Sequence, residues 1–234
     1  MFEFSFDINN LRILLAVLML SVASIYDVWK REINDVLWIA FGITSVILIF
    51  FEPDLLTTLK GIGISLLIAP IALIIWRVGM FGGADALGLI VLAALAPHAT
   101  LSASQITPFT TLTNAAILSI LPIFLNIIRN LIAISKHRDI FLGFQETKLN
   151  KIIAMFLGYR AKNPKYSFPI ERIEGDHKKL DFSFRNAERA EFSKASDTWV
   201  TPGIPYMIYI TVGFVVQLLF GDIIFSMISN IRGS

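Results

Sequence analysis

Two carboxylates carry the chemistry this sequence offers. Asp85 closes the run Gly82-Gly83-Ala84-Asp85, where an apolar segment ending at Arg77 gives way to four glycines within ten residues. Asp27 stands 58 residues upstream, at the end of the first apolar segment. An acid at the edge of a hydrocarbon-spanning segment is costly to keep there, so it marks a functional site by default. Two carboxyl groups brought within roughly 3–5 Å cannot both ionise comfortably and share one proton. The ionised partner can take a proton from a water that attacks a peptide carbonyl. The protonated partner then donates to that carbonyl or to the leaving amine. A shared proton does not assign the base role to either acid. No metal, thiolate or imidazole is needed, and no cofactor or metal is expected. The chain has no Cys, which excludes disulfides, thiolate zinc sites and a Cys nucleophile. Its three histidines (His98, His137, His177) lack metal-ligand spacing.

The elements that must position these acids are apolar. Of 234 residues 55% are hydrophobic and 16% charged, with a mean hydropathy of +0.69, which is not a soluble composition. Six apolar segments are read at 11–26, 34–51, 60–77, 84–99, 112–134 and 204–228. The expectation is an all-α polytopic membrane protein with six transmembrane helices and a small cytoplasmic α+β insert between the fifth and sixth. The fourth segment is short for a lone span and calls for shielding by neighbours. Pro70, Pro122 and Pro205 fall in or beside segments, where they kink membrane helices without abolishing them. The insert, 136–203, mixes thirteen basic and nine acidic residues with periodic aromatics. Lys165–Ile170 and Leu180–Phe184 read as short strands, and 144–158 as a helix. The division is therefore 1–135 (membrane, catalytic), 136–203 (soluble module) and 204–234 (last span and C-terminus).

Lys and Arg set the orientation. Lys30, Arg31 and Arg77 lie in odd loops, as do the thirteen basic residues of the insert, while the even loops hold only Lys60. Positive-inside bias then places the odd loops and the module in the cytoplasm and both termini outside, in a multi-pass plasma-membrane protein. Asp27 and Asp85 fall at similar depth on one side. The acidic start (Glu3, Asp7) without a small-residue cleavage site does not read as a cleaved signal. A net charge of +2 gives no case for nucleic acid.

Other polar residues have plainer readings. Asp222 lies about 18 residues into the last segment, roughly 27 Å from its start at 1.5 Å per residue, and reads as a structural acid at the other surface. Glu32 and Asp35 read as loop charges or helix-start caps, and Lys30 and Arg31 as topology signals. Asn126 and Gln217 read as interhelical hydrogen-bonders, and Gly79, Gly82 and Gly83 as sites of close packing that is compatible with catalysis. The insert's aromatics read as a module core, and His98 as a solvated loop residue.

Tyr26-Asp27, followed by Val28-Trp29-Lys30-Arg31-Glu32-Ile33 and later by Gly82-Gly83-Ala84-Asp85, resembles the GxGD intramembrane aspartyl proteases. The likeness is to the archaeal preflagellin and type IV prepilin-like peptidases in particular. Ala84 stands where the strict motif has Gly. Trp199-Val200-Thr201-Pro202-Gly203-Ile204-Pro205, before the last segment, also resembles those peptidases. The resemblance implies an aspartic endopeptidase with Asp27 and Asp85 as catalytic pair and Gly82, Gly83 and Ala84 as their support. It further implies a precursor archaellin or pilin-like substrate, cut at a class III signal peptide on the cytoplasmic face. Bacterial prepilin peptidases add a Cys zinc cluster and a methyltransferase activity; a chain without Cys has no ligands for that cluster. The alternative is a proton- or ion-coupled transporter using the same acids. Such proteins tend to carry internal repeats and midplane carboxylates, whereas this chain shows no repeat and its acids lie near one face.

Overall fold

The computed structural model describes residues 7–97, 107–174, 177–182, 191–224 and 226–227. His98 and the pair Ser183-Phe184 lie outside them. The chain is mostly helical: α1 Ile8–Lys30, α2 Asp35–Ile49, α3 Leu55–Ser65, α4 Ile68–Arg77, α5 Gly83–Leu95, α6 Thr107–Leu118, α7 Leu121–Ser135, α8 Lys148–Leu157 and α9 Tyr206–Phe220. Five short strands fall between α8 and α9: β1 Tyr159–Ala161, β2 Ser167–Pro169, β3 Glu171–Glu174, β4 His177–Leu180 and β5 Thr198–Pro202.

Among the described residues three stretches are long and apolar enough to cross a membrane alone: Ile8–Lys30, Leu55–Arg77 and Thr107–Ser135, of 23, 23 and 29 residues. The remaining apolar helices, α2, α5 and α9, have 15, 13 and 15 residues. Two of the long stretches carry a turn that precedes a proline. Pro70 has no N–H to return to Leu66, and the chain tightens there, with the Leu67 N–H on the Ile64 carbonyl at 3.2 Å. Pro122 sits in the first turn of α7, where its missing N–H costs nothing. The last apolar helix is shorter than the segment read at 204–228. It stops at Phe220 because Gly221 takes φ 76°, a left-handed conformation that ends a helix.

Local caps set several helix starts. Asp7 accepts the Asn9 N–H at 3.0 Å and Asn34 the Val36 N–H at 2.9 Å, so Asn34, not Asp35, caps α2. Asp54 accepts both the Thr57 N–H and its hydroxyl, which holds the Asp54 carboxyl below its ordinary range.

The chain divides into two compact units, residues 1–119 with 205–234, and residues 120–204. In the first, α5 is the central helix: α1, α2, α3, α4, α6 and α9 all pack on it. Its length is therefore explained by shielding. Ala86, Leu89 and Leu92 are buried with Met19, Leu20 and Ala23 of α1 and Met207, Ile210 and Phe214 of α9 in one apolar cluster. Among helices in lipid, close van der Waals fit and interhelical hydrogen bonds supply the cohesion that water supplies elsewhere. The α6–α9 crossing shows both. A Cβ on Gly213 would lie 2.8 Å from the Thr111 carbonyl and the Ala115 nitrogen. The Thr111 hydroxyl donates to Gln217 at 2.6 Å, and buried Asn114 donates to the Gly221 carbonyl while accepting the Ile223 N–H. Gln217 is thus an interhelical partner, as read; Asn114 was not anticipated.

Near the other end of α1 from Asp27, buried Arg12 donates to Glu52 at 2.7 Å and to the Leu95 carbonyl at 2.8 Å. It satisfies the C-terminal end of α5, where positive charge is favoured by the aligned peptide dipoles.

The second unit holds α7, α8 and all the strands. β5 is the middle of a three-stranded antiparallel sheet, with Arg160 opposite Trp199 on one side and Phe168 opposite Thr201 on the other. β3 and β4 pair as a separate antiparallel ribbon, Ile173 opposite Lys178. Trp199 is the core residue: it is buried, donates from Nε1 to the Ile140 carbonyl at 2.8 Å and stacks on Phe141 at 4.9 Å. The expectation of an aromatic core in the insert is met by Phe144, Phe141 and Trp199. The helix read at 144–158 is the shorter α8, and the strand read from Leu180 onward ends at Leu180. Arg160 makes a two-pronged pair with Asp197 at 2.8 and 3.0 Å, which holds the Asp197 carboxyl below the usual carboxylate range. Asn126 is again interhelical: it donates from α7 to the Phe156 carbonyl of α8 at 3.2 Å.

Two glycine changes test the packing account. Gly213→Ala should lower the unfolding midpoint in detergent, with a loss of about 1–3 kcal/mol from overpacking. Gly42→Ala, with nothing within 4 Å of the added carbon, should be neutral or stabilise by up to about 1 kcal/mol. Equal midpoints for the two variants would contradict it.

Candidate functional site

Each acid accepts a backbone N–H at the start of a helix, Asp85 in its own helix α5 and Asp27 in α9. Asp85 is the third residue of α5, whose cap position is Gly82, a residue without a side chain to offer. The carboxylate of Asp85 reaches back and accepts the Gly82 N–H at 2.9 Å, the acidic half of a capping box. Asp27 lies in the last turn of α1, and its Oδ2 accepts the N–H of Met207, the second residue of α9, at 3.2 Å. α9 follows Pro205 and has no side-chain cap of its own. Asp27 supplies, from 180 residues away, the acceptor that the local sequence lacks. The C-terminal end of α1 and the N-terminal ends of α5 and α9 therefore meet. Asp27 is within electrostatic reach of Asp85.

The glycine frame has a different role at each position. Gly79 takes φ 82°, which turns the chain out of α4 at no steric cost. A Cβ on Gly82 would lie 3.3 Å from Asp85 Oδ2, and one on Gly83 3.1 Å from the Trp76 indole. Ala84 is half-buried and packs on the apolar cluster. Asp85 itself is 7% exposed, while Asp27 is half-buried. Each carboxylate spends one acceptor position on a backbone N–H and keeps the others. Among the described residues no group of three His, Asp or Glu side chains could hold a metal ion.

Several contributors were not legible from residue types. Tyr206, the first residue of α9, stacks on Phe81 at 5.4 Å, just before Gly82, and its hydroxyl bonds Ser119. The ring pair ties the start of α9 to the turn that carries Asp85. Trp76 closes the other side of that turn against Gly83. One signal was available: a helix that starts after Pro205 with no Ser, Thr, Asp or Asn at its cap must borrow an acceptor. Lys30 lies over the Tyr26 ring at 5.1 Å, and Arg31, in the left-handed conformation that ends α1, is within electrostatic reach of Asp27. Asp222 lies past the far end of α9 and accepts the Thr113 hydroxyl at 3.1 Å, a structural contact. Trp199, in the run before α9, is a core residue of the second unit and takes no part in this geometry.

The chain is similar to known proteins over most of its length. The type IV leader peptidase family matches residues 14–134, and the archaeal peptidase A24 C-terminus, type II, matches residues 150–223. A preflagellin peptidase of Methanocaldococcus jannaschii is 26% identical over 226 residues, covering 92% of this chain and 95% of that protein. Preflagellin peptidases of Methanococcus maripaludis and Methanococcus voltae are 29% and 25% identical over 227 residues, covering 89% and 92% of this chain and 94% and 97% of theirs. Both acids and the glycine frame fall inside the first matched region.

The capping geometry makes a prediction about stability alone. Asp27→Ala removes the acceptor of the Met207 N–H and should destabilise the folded protein by about 1 kcal/mol. Asp27→Asn keeps an oxygen there and should recover most of that loss. Thermal unfolding in detergent checks it; indistinguishable midpoints for the Ala variant and the unmodified protein would remove the cap assignment.

Proposed function

This chain belongs to the type IV leader peptidase family, and from that premise we propose that Asp27 and Asp85 are its catalytic pair, acting on an archaellin or pilin-like precursor. The peptidase assignment itself comes with the family. The finer reading is a six-span aspartic endopeptidase with both termini outside, cutting a class III signal peptide at the cytoplasmic face. The observation that carries it is the convergence of two helix-capping acids at one end of the first unit, beside a glycine turn.

In the proposed reaction the dyad holds one proton. The ionised carboxylate takes a proton from water as the oxygen attacks the scissile carbonyl carbon. The protonated carboxyl donates to the carbonyl oxygen, which gives a neutral tetrahedral diol. The protonated carboxyl then gives its proton to the nitrogen as the C–N bond breaks, while the other carboxylate takes a proton from a diol hydroxyl. The leader acid and the mature amine are released, and the dyad again holds one proton. The backbone N–H groups of Gly82 and Met207 fix where the carboxylates point, so less orientation has to be achieved at the moment of reaction. The chain's basic residues at Lys30 and Arg31 and its positive-inside pattern support the cytoplasmic placement of that end.

Detergent-solubilised protein incubated with a preflagellin should give a leader-sized shift on a gel. Asp27→Asn and Asp85→Asn should each slow cleavage by about 10³-fold or more at unchanged thermal stability, since general acid–base steps are worth about 10²–10⁴. Cleavage at the normal rate by either variant would end the dyad assignment. Gly82→Ala, which crowds Asp85 without removing it, should slow cleavage by about tenfold, because small displacements of a positioned group are costly. An unaffected rate there would mean that the turn has slack the geometry does not show.

A further inference from the structure

The second unit carries an apolar stripe that its own core does not cover. Leu149, Ile152 and Phe156 of α8 are spaced three and four apart, on one face of the helix, and are 65%, 53% and 46% exposed. Ala154, on the opposite side, is buried in the cluster around Trp199. Lys148 and Lys151 flank the stripe, the latter lying over the Phe141 ring at 5.4 Å. An exposed apolar face bordered by lysines is the composition of a helix that lies in a membrane surface.

The level at which α8 is attached makes the same point independently. The stretch Thr107–Ser135 is 29 residues long, about 43 Å at 1.5 Å per residue, against a hydrocarbon core of about 30 Å. Reading from Thr107, the first charged residue is Arg129, which puts the hydrocarbon boundary near that position. Arg129 lies over the Tyr159 ring at 4.8 Å, an aromatic–cation pair suited to a headgroup layer. The residues beside it hold the C-terminal end of α8. Asn126 donates to the Phe156 carbonyl at 3.2 Å, and Asn130 to the Met155 and Gly158 carbonyls at 3.0 and 2.8 Å. The apolar stripe is thereby fastened at the depth where a spanning helix leaves the lipid.

We infer that α8 lies along the membrane surface, with Leu149, Ile152 and Phe156 in the boundary between headgroups and acyl chains and Lys148 and Lys151 among lipid phosphates. The lipid contact, added to the two asparagine attachments, fixes the second unit against the bilayer from which α7 emerges. The inference depends on Thr107–Ser135 crossing the membrane and not on the identity of the catalytic residues.

The absence of Cys from the chain allows a clean test. Ile152→Cys, labelled with an environment-sensitive fluorophore in proteoliposomes containing anionic lipid, should emit to the blue, be quenched by acyl-chain nitroxides and be shielded from iodide. Ile173→Cys on β3, 78% exposed in the same unit, should show the reverse. Leu149→Cys provides the same measurement should Ile152→Cys unfold, which the thermal midpoint reveals. Iodide quenching of position 152 equal to that of position 173 would overturn the inference. A blue-shifted label that acyl-chain quenchers fail to reach would also overturn it, since the stripe would then be covered by protein.

Discussion

Two backbone N–H groups hold this molecule's acids in place, and they belong to the starts of two different helices. An α-helix leaves its first N–H groups without partners, and in lipid no water can serve them. α5 begins at a glycine and α9 begins after a proline, so neither can cap itself with its own first side chain. The oxygen that each requires comes from Asp85 and Asp27. The demand that fixes the carboxylates is therefore a folding demand. α9 cannot leave α1 without stranding the Met207 N–H, and the Gly-rich turn cannot open without stranding that of Gly82. In the proposed dyad this ties the competence of the site to the packing of α1, α5 and α9.

That packing rests on fit. α5 has helices on all sides, and its buried face is built from Ala, Gly and Leu, so backbones approach closely. Another close approach is where Gly213 of α9 meets the α6 backbone. Buried polar groups then act as fasteners: Thr111 with Gln217, Asn114 with the end of α9, and Arg12 with Glu52 and the last carbonyl of α5. The two ends of α5 are satisfied by opposite charges, Asp85 at its start and Arg12 at its finish, as the helix dipole favours. The second unit obeys the more familiar rule of water-soluble cores, an aromatic centre with every polar atom of Trp199 paired.

The family places a peptidase in this chain, and the geometry supplies a physical reason for the spacing of Gly82 and Asp85. Asp85 must stand three residues after Gly82 because only the third helical position reaches back to the cap N–H. A Cβ on Gly82 would lie 3.3 Å from that same carboxylate, close enough to crowd it. Ala84 packs against the apolar cluster. Trp76 and the stacked pair Phe81 and Tyr206 brace the turn from two sides.

The amino-acid order alone determined the membrane character, the apolar segments, the two acids and the module between the last two segments. Each of these is a local property: a run of apolar residues, a glycine frame, a change of composition. Tertiary structure decided what each acid touches, since the Met207 N–H that holds Asp27 lies 180 residues along the chain and carries no side-chain signature. It also decided where helices stop. The end of α9 at Gly221 depends on a backbone angle and on Asn114 reaching over from α6, and neither can be read from hydropathy. Residue types can announce an acid in an expensive place, but the partner that makes it worth keeping there is chosen by the packing of the whole chain.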